Sequence, residues 1–259
     1  MWNKSIDVYW CPLGGKTTAD MKRISTVSEM LWFEPEPVLK HIVQERDKHV
    51  AFLKCPAMVD LYKNVFMVRS PMDITLSIAR DDKGNCVVRE HSQLPAFMHD
   101  FIVHRDSIQN SRFPMISISI CYLMYTKKSL EIEVMHPSLS AHISTGLRGV
   151  NLICGKYDIS KWIRPLEMAF EVHDDTERIE IKRGDPLYYF RLNTDKKINF
   201  IRKQLNELEP VIHIMDSCLS VKSFVQGNSM EKNYKLAKPL IERNKDKLFD
   251  KKCPFGFGK

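Results

Sequence analysis

Between residues 50 and 195 the chain is a series of short β-type segments separated by turn residues, and this pattern restricts its fold more than any other feature. Residues 73–80 alternate polar and apolar side chains, and the turn cluster 81–85 leads into a partner strand at 86–90. Residues 115–125 and 130–134 are predicted as a second hairpin with one solvated face. At least eight such strands predict a largely antiparallel β-sandwich, jelly roll or barrel.

The longer helices are predicted toward the two ends of the chain, and residues 55–64 are predicted as a short helical turn, so the predicted fold class is α+β. Pro37 suits the first turn of a helix over 38–48, and apolar spacing predicts further helices over 197–209 and 230–244, the last with Pro239 inside it. The predicted organisation is an N-terminal segment (1–49), a β-rich core domain (50–195) and a helical C-terminal region (196–259) packed on the core.

The positive charge of the chain is concentrated in its C-terminal quarter. The formal net charge is +7, and residues 196–259 contain 14 Lys and Arg against 7 Asp and Glu, so residues 1–195 are neutral. This asymmetry indicates either solvated helix faces or a surface for nucleic acid. The basic residues that would contact nucleic acid are Lys196, Lys197, Arg202, Lys203, Lys235, Lys238, Arg243, Lys245 and Lys247.

Composition predicts a soluble protein of a reducing compartment. The seven cysteines are scattered without a CxxC pair, and Cys121 and Cys154 lie in apolar runs where a thiol is expected to be buried and inert. The sequence has no run of about 20 apolar residues, so no membrane span is predicted. The N-terminus lacks the apolar core of a secretory signal. A protein partner is expected, nucleic acid is an alternative partner, and no membrane association is predicted.

One set of residues has the composition of a metal site. His104 and Asp106 form an HxD pair, and His173 follows downstream. Two histidines and a carboxylate can hold Fe(II) and leave other coordination positions of the metal open. Arg183 could bind a co-substrate carboxylate. In this pattern residues 95–195 resemble the Fe(II)/2-oxoglutarate-dependent dioxygenases, which would make Fe(II) and 2-oxoglutarate the cofactors. The alternative is that both histidines are ordinary surface or loop residues, and the cofactors are then unknown.

The most distinctive strings are GKYDISKWIRP at 155–165 and RGDPLYYFRL at 183–192. In the second, Gly184 and Pro186 predict a corner at which the chain crosses from one sheet to another. Together with CPAMVDLYKN at 55–64, SPMDITLSI at 70–78 and the CPFGF tail, these strings resemble uncharacterised proteins of tailed bacteriophages, particularly marine ones. That resemblance implies an infected bacterium as the setting, in the host cytoplasm or the virion, and it implies no catalytic residues.

Three functions remain open from the sequence. The preferred hypothesis is a non-enzymatic accessory or virion-associated phage protein that binds a partner, for which Trp32, Phe33, Trp162, Tyr188 and Tyr189 would suit either an interface or the core. The alternatives are the Fe(II)/2-oxoglutarate-dependent dioxygenase and the nucleic-acid-associated protein. Whether the chain is an enzyme is not decided by its sequence.

Overall fold

The protein is described by a computed structural model over residues 5–13, 33–40, 55–80, 82, 86–92, 102–105, 115–138, 147–203, 211–215, 218 and 229–249. Within this part of the chain the fold is mostly β, with antiparallel sheets and few helices. No helix in it is long and apolar enough to cross a membrane. The strands are β1 (Ile6–Leu13), β2 (Glu36–Pro37), β3 (Val65–Arg69), β4 (Ile74–Arg80), β5 (Cys86–Ser92), β6 (Ile102–Arg105), β7 (Met115–Tyr125), β8 (Glu131–Met135), β9 (Val150–Leu152), β10 (Lys156–Asp158), β11 (Pro165–Val172), β12 (Arg178–Ile181), β13 (Pro186–Leu192) and β14 (Ile198–Arg202).

The described strands form three sheets. The six-stranded sheet has the order β14-β1-β7-β11-β9, with β6 also paired to β7. The five-stranded sheet has the order β10-β8-β13-β3-β2, and the three-stranded sheet has the order β12-β4-β5. All of these pairings are antiparallel except that between β1 and β14, which is parallel.

A continuous apolar core joins the sheets. Alternate residues of β11 are buried, and β13 is buried on both faces because five of its seven residues lie consecutively in the interior. Phe200 of the six-stranded sheet meets Phe66 of the five-stranded sheet edge-on at 4.8 Å between ring centroids. The Tyr188 hydroxyl donates to the Leu166 carbonyl at 2.9 Å across the same boundary. These contacts bring β8, β10 and β11 close enough to form a cleft.

Two predicted connections are confirmed. Strands β4 and β5 pair antiparallel on either side of residues 81–85, as the turn chemistry there predicts. The corner at 183–186 takes the chain from β12 in the three-stranded sheet to β13 in the five-stranded sheet. Gly184 has φ +90°, which favours glycine, and its N–H donates to the Ser70 carbonyl at 2.8 Å. Burial raises the pKa of Asp185, although its carboxylate accepts the Lys182 N–H.

Two predictions from local pattern are wrong. Strands β7 and β8 do not form a hairpin, because β8 leaves the turn at 126–130 and pairs with β13 and β10 instead. The helix predicted over 197–209 is a strand in its first part, since β14 adds to β1 in register, Ile198 opposite Ile6. The pairing opportunity at the β1 edge outweighs the helical spacing of the apolar residues.

Three helices have bounds within the described residues: α1 (Pro56–Leu61), α2 (Met230–Arg243) and α3 (Lys245–Phe249). Residues 38–40, within the predicted N-terminal helix, and 211–215 are also helical. Helix α2 begins at the cap Ser229, whose hydroxyl accepts the Lys232 N–H at 3.3 Å. It buries Asn233, Ala237 and Ile241 at four-residue spacing and includes Pro239, as predicted.

Asn64 has φ +53° and fastens the loop after α1 to the turn before β14. Its side-chain amide donates to the Thr194 carbonyl at 2.5 Å and to the Lys196 carbonyl at 3.1 Å. We expect Asn64→Ala to lower the free energy of unfolding by about 2 kcal/mol, because it removes both bonds and leaves in the left-handed region a residue without the polar side chain that makes this conformation tolerable for asparagine. Asn64→Gly should lose about half as much, since it relieves the backbone. Urea unfolding measures both, and equal losses would contradict the backbone contribution.

Candidate binding cleft

A cleft of about 230 Å³ opens between the two larger sheets, and we call it the inter-sheet cleft. Val134 of β8 and Tyr157 of β10 line it from the five-stranded sheet, and Ser117 of β7 and Ala169 of β11 line it from the six-stranded sheet. Its remaining lining residues are Ile153, Cys154, Gly155, Lys156, Trp162, Arg164, Pro165, Leu166, Glu167 and Met230. The distinctive string at 155–165 therefore supplies about half of its wall.

Two large apolar side chains are exposed at the inter-sheet cleft. Ile153 is 40% exposed and Met230 is 37% exposed, and both line the cleft. Ile153 lies in the three-residue link between β9 and β10, and Met230 is the first residue of α2. Large apolar side chains exposed within one cleft are typical of a surface that is covered by a partner.

Arg164 is held over the aromatic wall of the inter-sheet cleft. Its guanidinium lies 5.0 Å from the ring centroid of Trp162 and 5.5 Å from that of Tyr157. Its Nη2 is 3.9 Å from the Glu167 carboxylate, and its Nε donates to the Pro165 carbonyl at 3.3 Å. Because Arg164 is stacked and partly paired, it presents a fixed planar donor group suited to a carboxylate.

A buried carboxylate fixes the shape of this wall. Asp158 at the end of β10 accepts hydrogen bonds from the side chains of Ser129 and Ser160, each at 2.6 Å, and from the backbone N–H of Ser160 at 2.9 Å. Lys161 lies 2.9 Å from the same carboxylate. Burial acts to raise the pKa of Asp158, but the hydrogen bonds from Ser129, Ser160 and Lys161 outweigh it, and the pKa lies below its usual value.

Asp158 and its neighbour Lys161 also connect this wall of the inter-sheet cleft to α2. The backbone N–H of Asp158 donates to the Tyr234 hydroxyl at 2.8 Å, and the Lys161 ammonium lies 5.5 Å from the centre of the Tyr234 ring. Trp162 follows directly and donates from Nε1 to the Cys218 carbonyl at 2.9 Å. Helix α2, which begins at Met230, is therefore positioned by Asp158 and Lys161, the sequence neighbours of the lining residues Tyr157 and Trp162.

The cysteine prediction is wrong for Cys154. This residue lies in the link after β9 and is exposed on the inter-sheet cleft, where its thiol donates to the Leu152 carbonyl at 3.7 Å. Cys11 and Cys218 do behave as small apolar residues, since both are buried and burial raises the pKa of each thiol. The apolar run at 150–154 ends at a sheet edge, which is why its last residue reaches water.

A larger depression of about 530 Å³ lies beside α1 and is less suited to a specific ligand. Lys63 and Asp195 form an ion pair at 2.9 Å in its lining, with exposed fractions of 50% and 95%. Arg191 donates to the Leu61 carbonyl at 2.7 Å, so its guanidinium is also engaged. Exposed pairs of this kind contribute little, and six of the nine residues that line the depression are polar or charged.

The predicted iron ligands are placed only in part. His104 lies in β6 opposite Ile116, and His173 follows the last residue of β11, on the other side of β7. Arg183 lies in the corner before β13, where its Nε donates to the Pro71 carbonyl and its guanidinium lies 4.9 Å from the Phe33 ring centroid. Asp106 lies outside the described residues. Among the residues that are described, no three His, Cys, Asp or Glu side chains form a group able to hold a metal ion. The iron hypothesis stays a prediction.

The predicted nucleic-acid residues fall into two groups. Lys235, Lys238 and Arg243 are exposed on α2, and Lys247 is exposed on α3, whereas Lys245 is half-buried. Lys235 pairs with Glu231 at 2.8 Å and Lys245 with Glu242 at 3.3 Å. Lys196 and Lys197 precede β14, in which Arg202 lies 5.3 Å from the Trp10 ring centroid. Lys203 is only 7% exposed and lies 5.4 Å from the Tyr9 ring centroid. The nucleic-acid hypothesis also stays a prediction.

The aromatic residues named from the sequence are mostly core residues. Trp162, Tyr188 and Tyr189 are buried, Phe33 is half-buried beneath Arg183, and Trp32 lies outside the described residues.

No protein-family model matches the chain, and no curated protein matches it either. The inter-sheet cleft is the feature of the molecule that bears on its function.

Proposed function

We propose that this chain is a non-enzymatic accessory or virion-associated bacteriophage protein that binds a protein partner through the inter-sheet cleft. The observation that carries the proposal is the pair of exposed apolar side chains, Ile153 and Met230, beside an apolar wall. A cleft of about 230 Å³ is large enough for one apolar side chain of a partner, and such anchors supply most of the energy of a protein interface. Lys156, Arg164 and Glu167 supply charged groups around it.

The rigidity of the site supports binding without chemistry. The wall is fixed by the bonds to Asp158 and by the bond from Trp162 to Cys218, so little ordering would be needed when a partner docks. We also propose that the six-stranded and five-stranded sheets face each other as a β-sandwich of jelly-roll type. The edge-on contact of Phe200 with Phe66 supports this arrangement. The proposed setting is the host cytoplasm or the virion.

Photo-crosslinking tests the proposed site. A benzophenone amino acid placed at position 153 should give a covalent adduct with one protein in a lysate of phage-infected cells. The same group at position 59 is the matched control, because Val59 is 42% exposed and Ile153 is 40% exposed, while Val59 lies on α1 away from the cleft. The captured protein is then purified and its affinity for the chain is measured directly.

We expect the double variant Ile153→Asp and Met230→Asp to bind the purified partner at least about tenfold more weakly, because two apolar contacts are lost and two charges are buried. Val59→Asp should leave the affinity unchanged. Absence of an adduct from position 153, equal adducts from positions 153 and 59, or full affinity of the double variant would each overturn the proposed function.

A further inference from the structure

Strand β9 is an edge strand whose outer hydrogen-bonding groups point away from its sheet. The Ile153 N–H donates to the Ala169 carbonyl, and the His173 N–H donates to the Gly149 carbonyl, each at 2.8 Å. In an antiparallel pair the bonded residues alternate, so positions 149, 151 and 153 face β11. The backbone N–H and C=O groups of Val150 and Leu152 therefore point away from β11. Val150 is only 5% exposed, whereas Leu152 is half-buried, so Leu152 carries the accessible outward groups of β9. Among the described residues, the contact recorded for the Leu152 carbonyl is with the Cys154 thiol, at 3.7 Å.

Three other edge strands in the described part of the chain carry protection that is not seen on β9. On β10 the outward N–H of Asp158 is capped by the Tyr234 hydroxyl at 2.8 Å. Strand β2 has only two residues and includes Pro37, and β12 carries an exposed ion pair between Arg178 and Glu180. Residues 150–154, with the sequence VNLIC, contain neither a charge nor a proline. Proteins normally blunt such an edge or cover it.

We infer that an extended segment of the protein partner adds to β9 as a further strand of the six-stranded sheet, with acidic side chains at both of its ends. This inference rests on the proposed function and specifies how the partner binds. Backbone hydrogen bonds to Leu152 would hold the segment, and Ile153, which lines the inter-sheet cleft, would contact the same partner. The backbone contacts give affinity, and the flanking charges give selectivity.

Charge at the two ends of the edge determines the choice of partner. Exposed Arg148 precedes β9 and exposed Lys156 follows it, so acidic residues at both ends of the added strand meet opposite charges. On β11, Glu171 lies opposite Asn151 of β9. Its negative charge disfavours an acidic residue at the centre of the added strand, which would lie on the other side of Asn151. A second copy of this chain, paired antiparallel around Asn151, would bring Arg148 and Lys156 of the two copies near each other. The edge therefore fits an acidic-ended segment better than a second copy.

A fluorescent peptide of about nine residues, the number that spans 148–156, tests the inference. The probe has alternating valine and threonine at its centre and two acidic residues at each end, and a control peptide carries lysines at the ends. Fluorescence anisotropy measures the binding of both to the full chain. We expect the acidic-ended probe to bind at least about tenfold more tightly at low ionic strength.

Leu152→Pro is the decisive variant, because it removes an N–H that faces away from the sheet. It should weaken the acidic-ended probe by about tenfold, since one backbone hydrogen bond is lost and the proline ring obstructs the added strand. Leu152→Ala keeps the N–H and should stay within about threefold of the unsubstituted chain. A probe with N-methylated central residues tests the same contact without any change in the protein, should Leu152→Pro fail to fold.

The inference is overturned if neither probe binds, if the lysine-ended probe binds as tightly, or if proline at 152 and N-methylation both leave affinity unchanged. It is also overturned if the chain dimerises on its own and Leu152→Pro abolishes the dimer, because the edge then serves a second copy. A specific adduct from position 153 together with any of these results would leave the proposed function standing and remove only strand addition.

Discussion

Replacing Asp158 with alanine should lower the free energy of unfolding by about 3–5 kcal/mol, because one side chain satisfies several buried donors. The Asp158 side chain is 3% exposed. Without it the backbone N–H groups of Leu130 and Ser160 lose an acceptor, and the Lys161 ammonium loses its partner. Urea unfolding followed by circular dichroism measures the loss.

The matched control is Ser160→Ala, which removes one hydroxyl donor from the Asp158 carboxylate and should cost about 1 kcal/mol. A loss of similar size in the two variants would show that Asp158 is not the centre of the network. A loss below about 1 kcal/mol for Asp158→Ala would mean that water replaces the carboxylate without penalty.

The depressed pKa of Asp158 gives this contribution a defined pH dependence. Since the folded-state pKa lies below the ordinary value of about 3.9, the stabilisation is fully present above that value and is lost as the pH falls through the folded-state pKa. Asp158→Asn should therefore be less stable than the unsubstituted chain at neutral pH, and the difference should shrink in acid. A difference that stays constant from pH 7 to strongly acidic pH would contradict the shift.

Truncation of Trp162 to alanine is expected to lower the free energy of unfolding by about 3–5 kcal/mol, the range for loss of a large buried aromatic side chain. Trp162 is 2% exposed, its ring lies 6.0 Å from that of Tyr157, and it carries the Arg164 guanidinium. Its removal would also enlarge the inter-sheet cleft and release Arg164.

Trp162→Phe separates packing from hydrogen bonding at this position. It keeps most of the ring volume and loses the Nε1–H bond to the Cys218 carbonyl, so we expect a loss of about 1–2 kcal/mol. Thermal unfolding and urea titration of the three chains measure the series. Equal losses for alanine and phenylalanine would place the whole effect in the hydrogen bond and contradict the packing argument.

Local chemistry predicts elements of this fold better than it predicts their partners. The β4–β5 hairpin follows from the turn at 81–85, and the corner before β13 follows from Gly184 and Pro186, because these residues set backbone angles by themselves. Residues 115–125 and 130–134 are strands as predicted. Nothing in residues 126–129 indicates that β8 pairs with β13, which contains Phe190, instead of folding back along β7 as a hairpin.

The inter-sheet cleft could not be predicted, because its lining comes from distant parts of the chain. Ser117, Val134, Ala169 and Met230 are brought together only by the packing of β7, β8, β11 and α2. The string 155–165 was distinctive in the sequence, but its mixture of aromatic and basic residues does not reveal that Trp162 is buried and that Arg164 rests on it. The exposure of Cys154 depends on its place beside a sheet edge, which alternation does not show.

The parallel pairing of β1 with β14 has a kinetic consequence. Asp7 and Asn199 bond at 2.9 Å although 192 positions separate them, and β1 meets β7 more than 100 positions along the chain. Strand pairs this remote close slowly, since a long loop must be closed before any contact stabilises it. During synthesis, β1 therefore leaves the ribosome long before either neighbour exists. A nascent chain of this kind reaches its native arrangement only after β14 has been translated. Chaperones are expected to bind β1 until then.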